Sequence, residues 1–208
     1  MQRDIIRIKL AHMRDQIDLT LDEYLYEITK IILKASKDYP NDWDKYYRQI
    51  EDLFYEFLVN IYNIVNNYLK TIYKKIPEFS IEDIYELTYN ADGKTLTERL
   101  KEHWQEVGKH LKINNDDRIN ISNHLVNMYD RILFTESRII ESKLKKIKKP
   151  EEATVLVIES GCDKCEGGDY PPDEDILLPP YHPNCNCQWY YEVANEDDIH
   201  DLDLEPNK

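Results

Sequence analysis

The chain has little glycine, only 5 residues in 208, and few sulfur residues, with 4 cysteines and 3 methionines. So few glycines leave little material for the many tight turns of an all-β fold, and they favour long uninterrupted elements. No apolar run approaches the roughly 20 residues a membrane span requires. The first residues, Met1-Gln2-Arg3-Asp4, open into a charged pattern, so no secretion signal is expected. The expectation is a soluble protein made in a cytosol, without a membrane partner. Cations are also in deficit: 27 Lys and Arg stand against 41 Asp and Glu, a net charge of −14. That balance excludes general phosphate binding over the whole surface, because affinity for nucleic acid comes from neutralising cations.

What the chain does have is apolar spacing of helical period. From residue 4 to about 37, Ile5, Ile8, Leu10, Met13, Ile17, Leu21, Leu25, Ile28, Ile31 and Ile32 recur every three to four positions, predicting one amphipathic helix or two joined near Thr20. Asp38-Tyr39-Pro40-Asn41-Asp42 interrupts the pattern, and Asp42 is a plausible N-cap. A second helix carries Ile50, Leu53, Phe54, Phe57, Leu58, Ile61, Ile64, Val65, Tyr68, Leu69 and Ile72, with Pro77 as its stop. Ser80-Ile81-Glu82-Asp83 reads as a further helix start and Asn90-Ala91-Asp92-Gly93 as a turn. Thr95-Leu96-Thr97-Glu98 is a capping box opening a short helix that ends near Ile113.

A last long helix is expected from Asn114-Asn115-Asp116-Asp117 to about Lys149, striped by Ile121, Leu125, Met128, Ile132, Ile139, Leu144 and Ile147. Glu136 falls on that stripe, where a carboxylate is costly unless paired. The expectation is a buried ion pair or hydrogen bond to a neighbouring helix, with a catalytic carboxylate as the lesser reading. Lys143 to Lys149 reads KLKKIKK. It is expected to be a solvated last turn whose cations complement the helix dipole; a local contact with DNA or an acidic partner is the sharper reading.

After Pro150 the texture changes. Thr154-Val155-Leu156-Val157-Ile158 and Gln188-Trp189-Tyr190-Tyr191-Glu192-Val193 are strand candidates flanking a loop rich in Cys, Gly, Pro and Asp. The fold expected is mainly α: a helical body over residues 1–150, a small β-hairpin Cys/His knuckle over 151–194, and an acidic tail over 195–208 that is poorly ordered or draped on a partner.

All four cysteines lie within 26 residues, as Cys162-Asp163-Lys164-Cys165 and Cys185-Asn186-Cys187, with His182 three positions before the second pair. A C-x-x-C turn points two thiolates at one ion and a second pair completes a tetrahedron, so the pattern points to structural zinc. Cys162, Cys165, His182, Cys185 and Cys187 are five candidates for four places. The competing reading is disulfide formation, which cytosolic synthesis disfavours. Catalysis fits poorly. A zinc deaminase places a glutamate two residues after its histidine and ahead of the C-x-x-C, and a redox C-x-x-C opens a helix; neither is met here. No catalytic residue is assigned, and the expectation is a protein that is not an enzyme.

The C-x-x-C followed by Leu178-Pro179-Pro180-Tyr181-His182-Pro183-Asn184-Cys185-Asn186-Cys187 resembles the C-terminal signature of the Mu F-like phage head-morphogenesis family, C-x-x-C and then P-P-x-H-P-x-C-R-C closing on a strand. Upstream, Arg131-Ile132-Leu133-Phe134-Thr135-Glu136 is similar to the family's arginine-threonine-glutamate element, with Phe134 in place of the arginine. Asn186 stands where the family has arginine, and Gly167-Gly168-Asp169 where it often has Asp-Gly. The resemblance covers roughly residues 120 to 193. It implies a minor virion component bound to the portal or inner capsid, touching portal or major capsid protein and assisting head assembly, DNA packaging or ejection. The alternative from another class is a metal-dependent hydrolase or nuclease using the Cys/His site, which needs an open coordination position and a general base.

Overall fold

The computed structural model describes residues 2–78, 81, 84–88, 93–113, 117–161, 165–174, 176, 178–179 and 187–200. Among these, four α-helices precede a three-stranded antiparallel sheet: α1 (Gln2–Asp38), α2 (Trp43–Ile72), α3 (Leu96–Ile113), α4 (Arg118–Ile147), β1 (Ala153–Glu159), β2 (Gly168–Tyr170) and β3 (Gln188–Val193). The helical-body expectation holds at this level. No helix among the described residues is long and apolar enough to cross a membrane.

α1 is one unbroken helix of 37 residues with no join at Thr20, about 55 Å long at 1.5 Å per residue. Thr20 lies within it, its hydroxyl donating to the Gln16 carbonyl. α1 packs on α2 and α4, and α4 packs on α2 and α3. Ile6, Leu10, Met13, Ile17, Ile28 and Ile32 of α1 meet Phe54, Phe57, Ile61, Val65 and Ile72 of α2 and Leu125, Tyr129, Leu133, Ile140 and Leu144 of α4 in one buried cluster.

Helix ends depart from expectation in two places. Asp42 precedes α2 in the left-handed region (φ 55°) and makes no side-chain cap. Its carbonyl instead accepts from Lys45 and Tyr46 N–H. α2 ends at Ile72, five residues before Pro77, because Tyr73 turns extended (φ −111°, ψ 133°) and bridges Ile199. The capping box at α3 forms as read: Glu98 N–H donates to Thr95 Oγ1 at 3.3 Å, and Thr95 N–H donates to Glu98 Oε2 at 2.8 Å. Of the expected helix start at 80–83, only Ile81 is described; the chain forms a 3-10 turn at Ile84–Leu87. The Asn90–Asp92 part of the expected turn and Asn114–Asp116 ahead of α4 lie outside the described residues.

Gly108 sits mid-α3 and has a packing reason to be there. A Cβ at this position would stand 2.8 Å from Trp43 Nε1 and 3.2 Å from its Cε2. Trp43 is stacked on Trp104, with centroids 4.0 Å apart and planes 21° from parallel. Alanine gains about 1 kcal/mol of helix propensity over glycine, but overpacking costs about 1–3 kcal/mol. Gly108→Ala is therefore expected to lose about 1 kcal/mol in urea unfolding and to shift the tryptophan fluorescence. A gain in stability would show that the indole yields freely.

The sheet order is β2-β1-β3. The two expected strands pair directly, with Glu159 opposite Gln188 and Leu156 opposite Tyr191. The short strand β2 was not legible in the loop and pairs with β1 through Ile158–Gly168 and Leu156–Tyr170. The sheet is continuous with the helical core: Leu156, Val157, Ile158, Trp189, Tyr190, Tyr191 and Val193 belong to the same buried cluster as the helices. Tyr73 binds across the junction, its buried hydroxyl donating to Tyr191 O at 2.8 Å and accepting from Tyr191 N–H at 3.2 Å. Burial holds that phenol well above its usual pKa.

The first residues of the expected loose tail are tied down. Glu196–Asp198 form a 3-10 turn, Ile199 is buried, Lys74 N–H donates to Asp198 O at 3.0 Å and His200 N–H donates to Ile72 O at 3.1 Å. Residues 201–208 lie outside the described residues.

Candidate metal centre

The sheet register brings the two cysteine segments to one end. β1 runs out at Glu159 toward Cys162, and β2 begins three residues after Cys165. β3 begins one residue after Cys187, with Gln188 opposite Glu159. An antiparallel ladder of this register puts the end of β1 and the starts of β2 and β3 at the same end of the sheet.

Among the described residues, Cys165 is half-buried and Cys187 is 3% exposed. Gly161 N–H donates to Cys187 Sγ at 3.4 Å, so the residue before Cys162 already touches the sulfur of the second pair. Ser160 Oγ donates to Cys165 O at 2.6 Å. Gly167 allows the return of the loop. A Cβ there would lie 2.7 Å from the Ile158 carbonyl oxygen, a backbone clash, and a tight 3.1 Å from Ser160 N.

Cys162, His182 and Cys185 lie outside the described residues, so two of the five candidate ligands are placed. The described residues alone contain no group of three or more His, Cys, Asp or Glu able to hold an ion. The donors that are placed suit a thiophilic divalent cation. Cys187 is shielded from water, and its sulfur accepts a backbone N–H, the kind of contact that orients a sulfur ligand.

Glu136 is fully buried, with Arg99 of α3 donating to its carboxylate at 2.5 Å. This is the expected ion pair between neighbouring helices.

The KLKKIKK run is not a solvated last turn. Lys145 and Lys148 are 3% and 2% exposed. Lys143 Nζ donates to Thr88 O at 2.8 Å and Lys148 Nζ to Pro77 O at 3.0 Å. Lys145 pairs with Glu141, and Lys149 with Asp173. Loop carbonyls take up Lys143 and Lys148, Asp173 takes up Lys149, and Glu141 of α4 itself takes up Lys145, because a buried ammonium needs such partners.

Sequence periodicity missed a second charged cluster beneath the knuckle. Glu141 of α4 is 3% exposed and meets Lys145, Arg138 Nη1 at 3.4 Å and Arg14 Nη2 at 3.4 Å from α1. Arg138 also pairs with Asp18 at 2.9 Å. Burial alone would push the Glu141 carboxyl up, but Lys145, Arg14 and Arg138 together hold it down at about 2. Arg14 Nη2 further donates to Cys187 O at 2.9 Å, which joins this cluster to the cysteine edge. The only sequence signal was the i, i+3 and i, i+4 spacing of Arg138, Glu141 and Lys145, which also describes an ordinary exposed helix face.

Compared with known proteins, the chain matches no family model, no curated sequence and no solved structure.

Proposed function

We propose that the chain is a structural minor head protein of a tailed bacteriophage, held in the virion at the portal vertex or inner capsid. There it assists head assembly, DNA packaging or ejection, without catalysis, and its Cys/His end is a zinc knuckle. One observation carries the reading: the string Pro179-Pro180-Tyr181-His182-Pro183-Asn184-Cys185-Asn186-Cys187 closes directly onto β3, whose first residue stands opposite the last residue of the strand leading to Cys162. A motif that resembles the head-morphogenesis signature thus ends on a strand, as the signature does. Zinc is supported by thiolate-rich ligation, which suits a closed structural site more than an open catalytic one. The pairing of Glu136 with Arg99 occupies the carboxylate best placed to suggest chemistry. The acidic balance supports protein partners, portal or major capsid, over general DNA binding. Lys143, Lys145, Lys148 and Lys149 of KLKKIKK hold partners within the chain, so a local contact of this run with packaged DNA would compete with those pairings.

Three measurements test the proposal. Elemental mass spectrometry on chain purified without chelator, with a thiol count under denaturing conditions, is expected to give about one zinc per chain and all four cysteines as thiols. Co-expression with the portal protein of the same genome is expected to give a complex sedimenting with the portal ring. Absence from purified virions of the encoding phage would sink the head-protein reading whatever the metal result.

A further inference from the structure

We propose that Arg14 is the positioning residue through which the helical body sets the cysteine edge for a thiophilic divalent cation, an inference that rests on the zinc-knuckle reading above. Arg14 belongs to α1, more than 140 residues from the cysteines in sequence. Its side chain is 14% exposed, and its guanidinium reaches Cys187 O at 2.9 Å and Glu141 Oε1 at 3.4 Å. Glu141 is itself held by Arg138 and Lys145, so the guanidinium is fixed from its far side.

Cys187 is consequently held at three points. Its carbonyl accepts from Arg14, its sulfur accepts from Gly161 N–H, and the next residue, Gln188, is registered on Glu159. α4 grips the following turn of the strand as well: Trp189 Nε1 donates to Ser142 Oγ at 3.2 Å, and Lys145 Nζ stands 5.7 Å from the indole centroid. A ligand whose main chain is fixed before the metal arrives loses less freedom on binding. A centre of three or four thiolates around a divalent ion also carries net negative charge, which a guanidinium one peptide away favours. Partners of this kind typically contribute about 10–100-fold to metal affinity.

The test uses the full reduced chain and cobalt(II) as the spectroscopic probe, with zinc(II) affinity read by chelator competition. Wild type is expected to bind one cobalt with the thiolate charge-transfer band. R14M and R14Q are expected to weaken both metals about 10–100-fold and to alter the ligand-field band, while R14K recovers part of the loss. R118M, which removes an arginine bonded to Lys37 O on a distant turn, is expected to match wild type. Helical circular dichroism identifies any variant that fails to fold; if R14M does, R14Q carries the comparison. Wild-type affinity and spectrum in the folded Arg14 variants would overturn the role of Arg14 and leave the metal reading standing. A wild-type chain that gives no thiolate–cobalt band would remove the metal reading itself, and this inference with it.

Discussion

Glu141→Ala is expected to lower the unfolding free energy by about 3–5 kcal/mol, the range for breaking a buried ion pair by removing one partner. The carboxylate is the shared anion of Arg14, Arg138 and Lys145, and its removal leaves three cations facing one another in a dry interface between α1 and α4. Chemical denaturation reads the loss directly. For a domain of this size it corresponds to a Tm fall of roughly 6–20 °C. Arg138 retains Asp18, so Arg14 and Lys145 bear most of the change. A loss below about 1 kcal/mol, as for an exposed pair, would mean that water reaches the cluster.

The same carboxylate gives the fold a pH dependence of known sign. Glu141 is held at about 2 in the folded chain against an ordinary value of 4.5. A group whose folded pKa is depressed stabilises fully above its unfolded value, and the contribution is lost as pH falls from about 4.5 through about 2. At roughly 1.4 kcal/mol per pKa unit this amounts to about 3 kcal/mol. The stability gap between wild type and Glu141→Ala is therefore expected to be constant above pH 5.5 and to narrow steadily below 4.5. A gap that stays constant down to pH 3 would contradict the depressed value.

The legible parts of the fold were those set by local pattern. The helical period of α1 to α4, the Thr95–Glu98 box and the two principal strands follow from spacing within a few turns of each element. The illegible parts are those decided by distant segments. α2 stops at Ile72 because Tyr73 finds Ile199 and the Tyr191 backbone, partners more than 110 residues away. β2 is three residues with no alternation of its own, and it exists as a strand because β1 offers an open edge. Ile8 follows the α1 stripe in sequence yet is 39% exposed, while Ile6 beside it is fully buried, a rotation set by where α2 and α4 lie. At the site, cysteine spacing made the metal pattern visible, and the strand candidates on either side implied a shared edge. Arg14 carried no such signal: an arginine on a charged helix becomes part of the site through the fold alone.

Zinc loading is expected to raise the Tm of the helices as well as to stabilise the knuckle. A ligand that binds only the folded chain stabilises it by RT ln(1 + [L]/Kd), about 4 kcal/mol at a thousandfold excess over Kd. In a chain of about 200 residues that is a Tm shift of roughly 8–16 °C. The shift should be visible at 222 nm, where helix dominates the signal, because the sheet does not have a core of its own. Trp189, Tyr190 and Tyr191 begin two residues after Cys187 and are buried in the cluster shared with the helices, while Arg3, Arg7 and Arg14 of α1 bind Glu192, Glu159 and Cys187 O. Fraying the metal edge would withdraw these contacts from α1 along its first four turns. A chelated, reduced chain that melted at the same temperature as the zinc-loaded chain would break the argument at one of two places, and thiol counting tells them apart. Four free thiols with no bound zinc would mean that the cysteines do not bind it; bound zinc with an unchanged helical transition would mean that the knuckle opens independently of the helices.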